Sequence, residues 1–184
     1  NNWNDLEETN GLYARYGVRG IPHFVLISPE GKVIDSWSGY GKGLLKLKVE
    51  GMLAPKQPMR IEWKDGHKLV HHPRKKTEKV DVLTIRQVEL TDSATVLRVH
   101  ARYIPNYWIR LDKATFLMSD KGVNYPLLRS EGFTIDEQVF MPDSGEMDFT
   151  LYFAPLPKDT RWFDFSEGEH VEGGYHIEGI RLTE

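Results

Sequence analysis

The chain has 184 residues, 24 basic and 27 acidic side chains, and no cysteine. That length allows one large domain or two small ones, and a hydrophobic share of 40% is too apolar for a disordered chain. A net charge of −3 gives no bulk attraction to nucleic acid or anionic lipid, and the missing thiols exclude disulfides, a thiol nucleophile, thiolate metal sites and iron–sulfur clusters. The chain opens on Asn1 with no basic-then-apolar leader, and the simplest expectation is a mature chain or a piece of a longer one. Asn4 or Asp5 is placed to cap a helix whose apolar face is Leu6, Leu12, Tyr13 and Tyr16, with Gly17 ending it. The almost continuous apolar run His23 to Ser28 predicts a strand covered on both faces. Pro29-Glu30-Gly31-Lys32 is turn chemistry, and Lys32 to Trp37 alternates as a second strand, so the pair reads as an antiparallel hairpin. Leu44, Leu45, Leu47, Val49, Met52 and Leu53 predict an amphipathic helix, which Pro55 and Pro58 end.

From about residue 59 strand-like runs recur at short spacing. They are Val80–Leu90, Thr95–Tyr103, Trp108–Met118, Asn124–Leu128, Met147–Phe153, Arg161–Phe165 and Tyr175–Leu182. Turn-forming clusters such as Thr91-Asp92-Ser93 and Pro142-Asp143-Ser144-Gly145 separate them. Repeated short strands without a convincing helix predict an antiparallel β-sandwich. Residues 55–79 read as a polar linker carrying Arg74-Lys75-Lys76.

The segment Tyr16-Gly17-Val18-Arg19-Gly20-Ile21-Pro22-His23-Phe24-Val25-Leu26-Ile27-Ser28-Pro29-Glu30-Gly31-Lys32-Val33-Ile34 resembles the second half of an exported thioredoxin-like domain of the TlpA/ResA type. Gly39 matches that family's glycine after the last strand, and Gly43 to Leu53 matches its last helix. The resemblance implies that Pro22 is the family's cis-proline and that Ile21 and Pro22 border a groove for extended substrate in an intact parent. It also implies a catalytic Cys-x-x-Cys in a first half that is not in this sequence. Thiol exchange needs a thiolate, so the resemblance implies an inactive chain with a thiol-disulfide oxidoreductase as its longer parent. Residues 80–184 resemble the β-rich domain that accompanies thioredoxin-like domains in exported Bacteroidetes proteins. The stretches that carry this are Ile85 to Asp92, Tyr107-Trp108-Ile109-Arg110, Met141 to Gly145, Phe163 to Gly168 and Ile177 to Leu182.

The remaining constellations weigh toward bland readings. His67, His71 and His72 lack an acidic partner at ligand spacing, so a solvated connector is favoured over a zinc or nickel site. Glu167, Glu169, His170 and Glu172 have the oxygen donors for calcium or manganese but not the Asp-x-Asp-x-Asp-Gly pattern, so an acidic turn is favoured. Asp164 and Glu167 are the default carboxylates for acid–base work. Gly39-Tyr40-Gly41-Lys42-Gly43 lacks phosphate-loop spacing. Among the aromatics Tyr103, Tyr107, Trp108, Trp162, Phe163 and Phe165, Tyr107 and Trp108 are the candidates for a glycan- or protein-binding patch.

The expected class is therefore α+β, a partial thioredoxin-like unit of helix, β-hairpin and helix plus an antiparallel, immunoglobulin-like β-sandwich. The expected division is 1–54, linker 55–79 and 80–184. The expected function is a non-catalytic part of an exported, extracytoplasmic thioredoxin-like protein; the alternative is a binding module presenting sandwich aromatics to a glycan or protein. No cofactor, metal, nucleic acid or membrane span is expected. A hairpin with an open edge and a bare apolar face recruits strands, so residues 1–54 are expected to be covered by the sandwich, by a protein partner or by a second copy in a homodimer.

Overall fold

The structure is a computed structural model that describes residues 15–18, 20–168 and 173–184. The chain divides into two compact units, residues 1–53 with 78–80, and residues 54–77 with 81–184. In the first, β1 (His23–Ile27) and β2 (Val33–Ser38) pair antiparallel, and Gly31 turns the chain at φ +81°. Phe24 faces Trp37 across the hairpin, their rings stacked at 5.2 Å. The Ile21–Pro22 bond that leads into β1 is cis. Helix α1 (Leu44–Leu53) comes next, and Gly51 lets Val80 lie close, since a Cβ there would meet Val80 Cγ1 at 2.6 Å. The expected double cover is not observed: no residue of β1 is buried, and among the described residues β2 is the one strand paired with it. Likewise α1 buries no residue fully.

In the second unit the strands are β3 (Arg60–Lys64), β4 (His67–His71), β5 (Leu83–Leu90), β6 (Thr95–Arg102), β7 (Trp108–Ile109), β8 (Phe116–Ser119), β9 (Asn124–Glu131), β10 (Val139–Phe140), β11 (Glu146–Phe153), β12 (Trp162–Ser166) and β13 (His176–Arg181). Nine form one antiparallel sheet in the order β13-β12-β8-β9-β11-β6-β5-β4-β3, and β7 pairs with β10 separately. The core-facing residues alternate, as in Thr95, Leu97, Val99 and Ala101 on β6. The sheet curls so that Phe153 on β11 meets Phe165 on β12 edge-on, at 6.1 Å between ring centroids.

These observations correct the expected class. The described residues hold thirteen strands and one short helix, so the chain is mostly β rather than α+β. The helix–hairpin–helix unit is not seen, and Asn4, Asp5, Leu6, Leu12 and Tyr13 of the expected first helix lie outside the described residues. Nor do the described residues form an immunoglobulin-like sandwich of two sheets; their nine main strands make one sheet. Strand β9 is long enough to serve two neighbours: Asn124–Pro126 pair with β8, and Leu127–Glu131 with β11. Pro126, which has no amide hydrogen to donate, stands at the changeover, and the sheet stays continuous.

The stretch read as a linker, 55–79, carries the β3–β4 hairpin, which extends the main sheet through β4–β5 pairing. Its turn is Asp65-Gly66, both at positive φ (+52° and +78°), a two-residue hairpin signal that was legible in the sequence. Nor is Arg74-Lys75-Lys76 free in solvent. Arg181 N–H donates to Arg74 O at 2.7 Å and Lys76 N–H to Glu178 O at 2.9 Å, so this segment runs beside β13. Lys75 pairs with Asp81, and Lys76 with Glu178 at 2.8 Å. Among the described residues no helix is long and apolar enough to cross a membrane.

Candidate functional site

The aromatic candidates fall into two groups. Phe163 and Phe165 are core residues, and Tyr103 and Trp162 are half-buried. Tyr107 and Trp108 stand out, at 52% and 46% exposure, and the register adds Phe140 at 62% directly opposite Trp108. Burial on the other side of this small ribbon explains the arrangement: Ile109 and Met141 are each 1% exposed and pin β7 and β10 to the core. Strand alternation then turns Trp108 and Phe140 to solvent. Met141 N–H donates to Tyr107 O at 2.7 Å, and Tyr103 supports the Tyr107 ring edge-on at 6.3 Å. Gly145 closes the return turn at φ +70°, where a Cβ would lie 2.5 Å from Tyr103 O, so the site's backbone geometry requires glycine there. The sequence signal missed Phe140 because Val139-Phe140-Met141 shows no alternation long enough to assign faces.

Ile21 is 63% exposed and Pro22 is exposed beside it. The turn is tied to β2 by Gly39 N–H donating to Pro22 O at 2.8 Å. The His23 ring lies between Ser38 Oγ at 2.8 Å and Ser36 Oγ at 2.9 Å. These contacts hold the turn; they supply no redox group.

The histidines do not converge. His67 Nδ1 pairs with Glu89 at 2.8 Å, His71 Nε2 with Glu62 at 3.0 Å, and His72 is exposed. Among the described residues no group of three or more His, Asp or Glu side chains is arranged to hold a metal. The default carboxylates are structural. Glu167 is 3% exposed and accepts Asp112 N–H at 2.8 Å and Tyr175 N–H at 2.6 Å. Asp164 accepts Gly179 N–H at 2.6 Å. Glu169, His170 and Glu172 lie outside the described residues.

Burial, and next the Glu167 carboxylate, raise the Tyr175 hydroxyl above the usual tyrosine range. The folded chain therefore keeps a proton that the unfolded chain releases above about pH 10. Stability from this group is complete below that pH and falls as pH rises. Urea midpoints measured from about pH 9 to 12 are expected to fall less steeply in Tyr175→Phe than in the native chain; equal slopes would show that Tyr175 ionises normally.

No family model, curated protein or solved structure matches the chain.

Proposed function

We propose that the chain is the non-catalytic part of an extracytoplasmic protein of the thioredoxin-like, thiol-disulfide oxidoreductase family. One observation carries this reading: the Tyr16–Ile34 pattern runs through the β1–β2 hairpin and is followed by α1, and Ile21 stands exposed where the resembled family pairs with extended substrate. The chain itself has no thiol to exchange. The upstream coding sequence tests it. A Cys-x-x-Cys about 60–90 residues before Pro22 supports the reading, and an upstream frame without one sinks it. In the same reading a protein partner or a second copy covers residues 1–54; a light-scattering mass of one chain excludes the second copy.

A second reading makes the β-rich unit a binding module for a glycan or protein, and the exposed Tyr107, Trp108 and Phe140 favour it. Flat aromatic side chains bury large area at low entropic cost and concentrate binding energy. Trp108→Ala is expected to cost about 1–2 kcal/mol of stability and leave the chain folded, because half of the ring is packed and half is in solvent. It is expected to weaken capture of a glycan or protein found by array screening by about tenfold or more. Undiminished capture by the variant removes this reading.

A further inference from the structure

We propose that the solvent face of the five central strands β4, β5, β6, β11 and β9 binds an acidic oligosaccharide, with the sugar carboxylate on Arg98. The site is independent of the thioredoxin-like resemblance and of the Trp108 patch. Pairing sets His71 beside Gln87, Gln87 beside Arg98, Arg98 beside Thr150, and Thr150 beside Glu131. Side chains at paired positions share a face. Four interstrand gaps make this polar row about 19 Å long. Two open clefts, of about 550 Å³ and 440 Å³, both take Arg98 as a wall.

The charges around the row are unevenly engaged. Asp148 already has His100 Nδ1 at 2.9 Å and Arg86 at 3.3 Å. Glu131 is held by Arg129 and by the Tyr152 hydroxyl at 2.9 Å. Glu62 is taken by His71. At the centre, Gln87, Arg98 and Thr150 offer an amide, a guanidinium and a hydroxyl. Among the described residues none of the three side chains makes a hydrogen bond or close ion pair of its own, although Arg98 still feels the field of Glu131. A free guanidinium fork matches a carboxylate in two parallel hydrogen bonds. The flanking amide, hydroxyl and exposed carboxylates match vicinal sugar hydroxyls, which both donate and accept.

The chemistry selects against other ligands. A polynucleotide or polyphosphate needs excess positive charge, and here Asp148 and Glu131 offset Arg86 and Arg98. A bound peptide draws its energy from apolar anchors in pockets, whereas this row is polar along its length.

The test is an amide-shift titration of the full chain with sialyllactose, a trisaccharide with a single carboxylate, with neutral maltotriose and a hexaglutamate peptide as parallel arms. Saturable shifts at Gln87, Arg98 and Thr150 with a Kd of about 1 mM or tighter are expected for sialyllactose alone. Arg98→Gln is expected to weaken that binding by about tenfold or more, and Gln87→Ala to weaken it less. Trp108→Ala is expected to leave it unchanged. Absence of saturable shifts, equal binding of the neutral trisaccharide or the peptide, or undiminished binding by a folded Arg98→Gln chain would each overturn the proposal.

Discussion

A Lys48→Ala chain is expected to lose about 3–5 kcal/mol of stability in the unit built on the β1–β2 hairpin. Asp35 has a side chain only 2% exposed, and Lys48 Nζ reaches its Oδ2 at 2.6 Å from α1. The same ammonium donates to Val80 O at 2.8 Å and lies 5.4 Å from the centre of the Trp37 ring. Ser36 N–H supplies the other carboxylate oxygen at 2.8 Å. Truncating the lysine therefore strands a buried negative charge and a carbonyl, which costs far more than the pair itself contributes. Pairing Asp35→Leu with Lys48→Met removes both charges at once and is expected to recover most of the loss. Hydrogen exchange at β1 and β2 amides measures it. A loss below about 1 kcal/mol would mean that water reaches Asp35 once Lys48 is gone.

Glu167→Ala is expected to cost about 3–5 kcal/mol in the β-rich unit, because it removes two hydrogen bonds from backbone amides to a charged acceptor. Those amides belong to Asp112, which lies after β7, and Tyr175, which precedes β13, so one side chain ties two loops of distant sequence. The melting temperature is expected to fall by roughly 10 °C. Glu167→Gln keeps one acceptor oxygen and is expected to fall about half as far. A shift of under about 2 °C for Glu167→Ala would show that solvent replaces the carboxylate.

Both effects rest on contacts between residues distant in sequence. Asp35 sits in an alternating strand, and α1 brings a lysine over it. Glu167 stood in an acidic cluster that suggested an exposed turn, but its two oxygens are spent on amides from both sides. Local pattern reports which residues share a face; it carries no information on which loop arrives to cover them. The Arg98 row was invisible for the same reason, since its members come from five strands spread between His71 and Thr150. Tyr107 and Trp108 were legible as a candidate patch because turn chemistry around Pro105 leaves aromatics with little local cover, while Phe140 became their neighbour through nonlocal pairing.

The period of two and the turn residues were enough to locate most strands. Those near Leu83–Leu90, Thr95–Arg102 and Glu146–Phe153 differ from expectation only at their ends, and the Gly31 turn and the helix Leu44–Leu53 were readable from local conformational preference. Zero cysteine settled the absence of thiol chemistry without any structure. Tertiary structure decided the rest: that Asp65-Gly66 joins two more strands to the sheet, that β9 serves two partners, and that nine strands curl into one sheet rather than divide into two. Alternation says that a strand has an inside, but the neighbour that makes it so is chosen by hydrogen-bond pairing and packing across the whole chain.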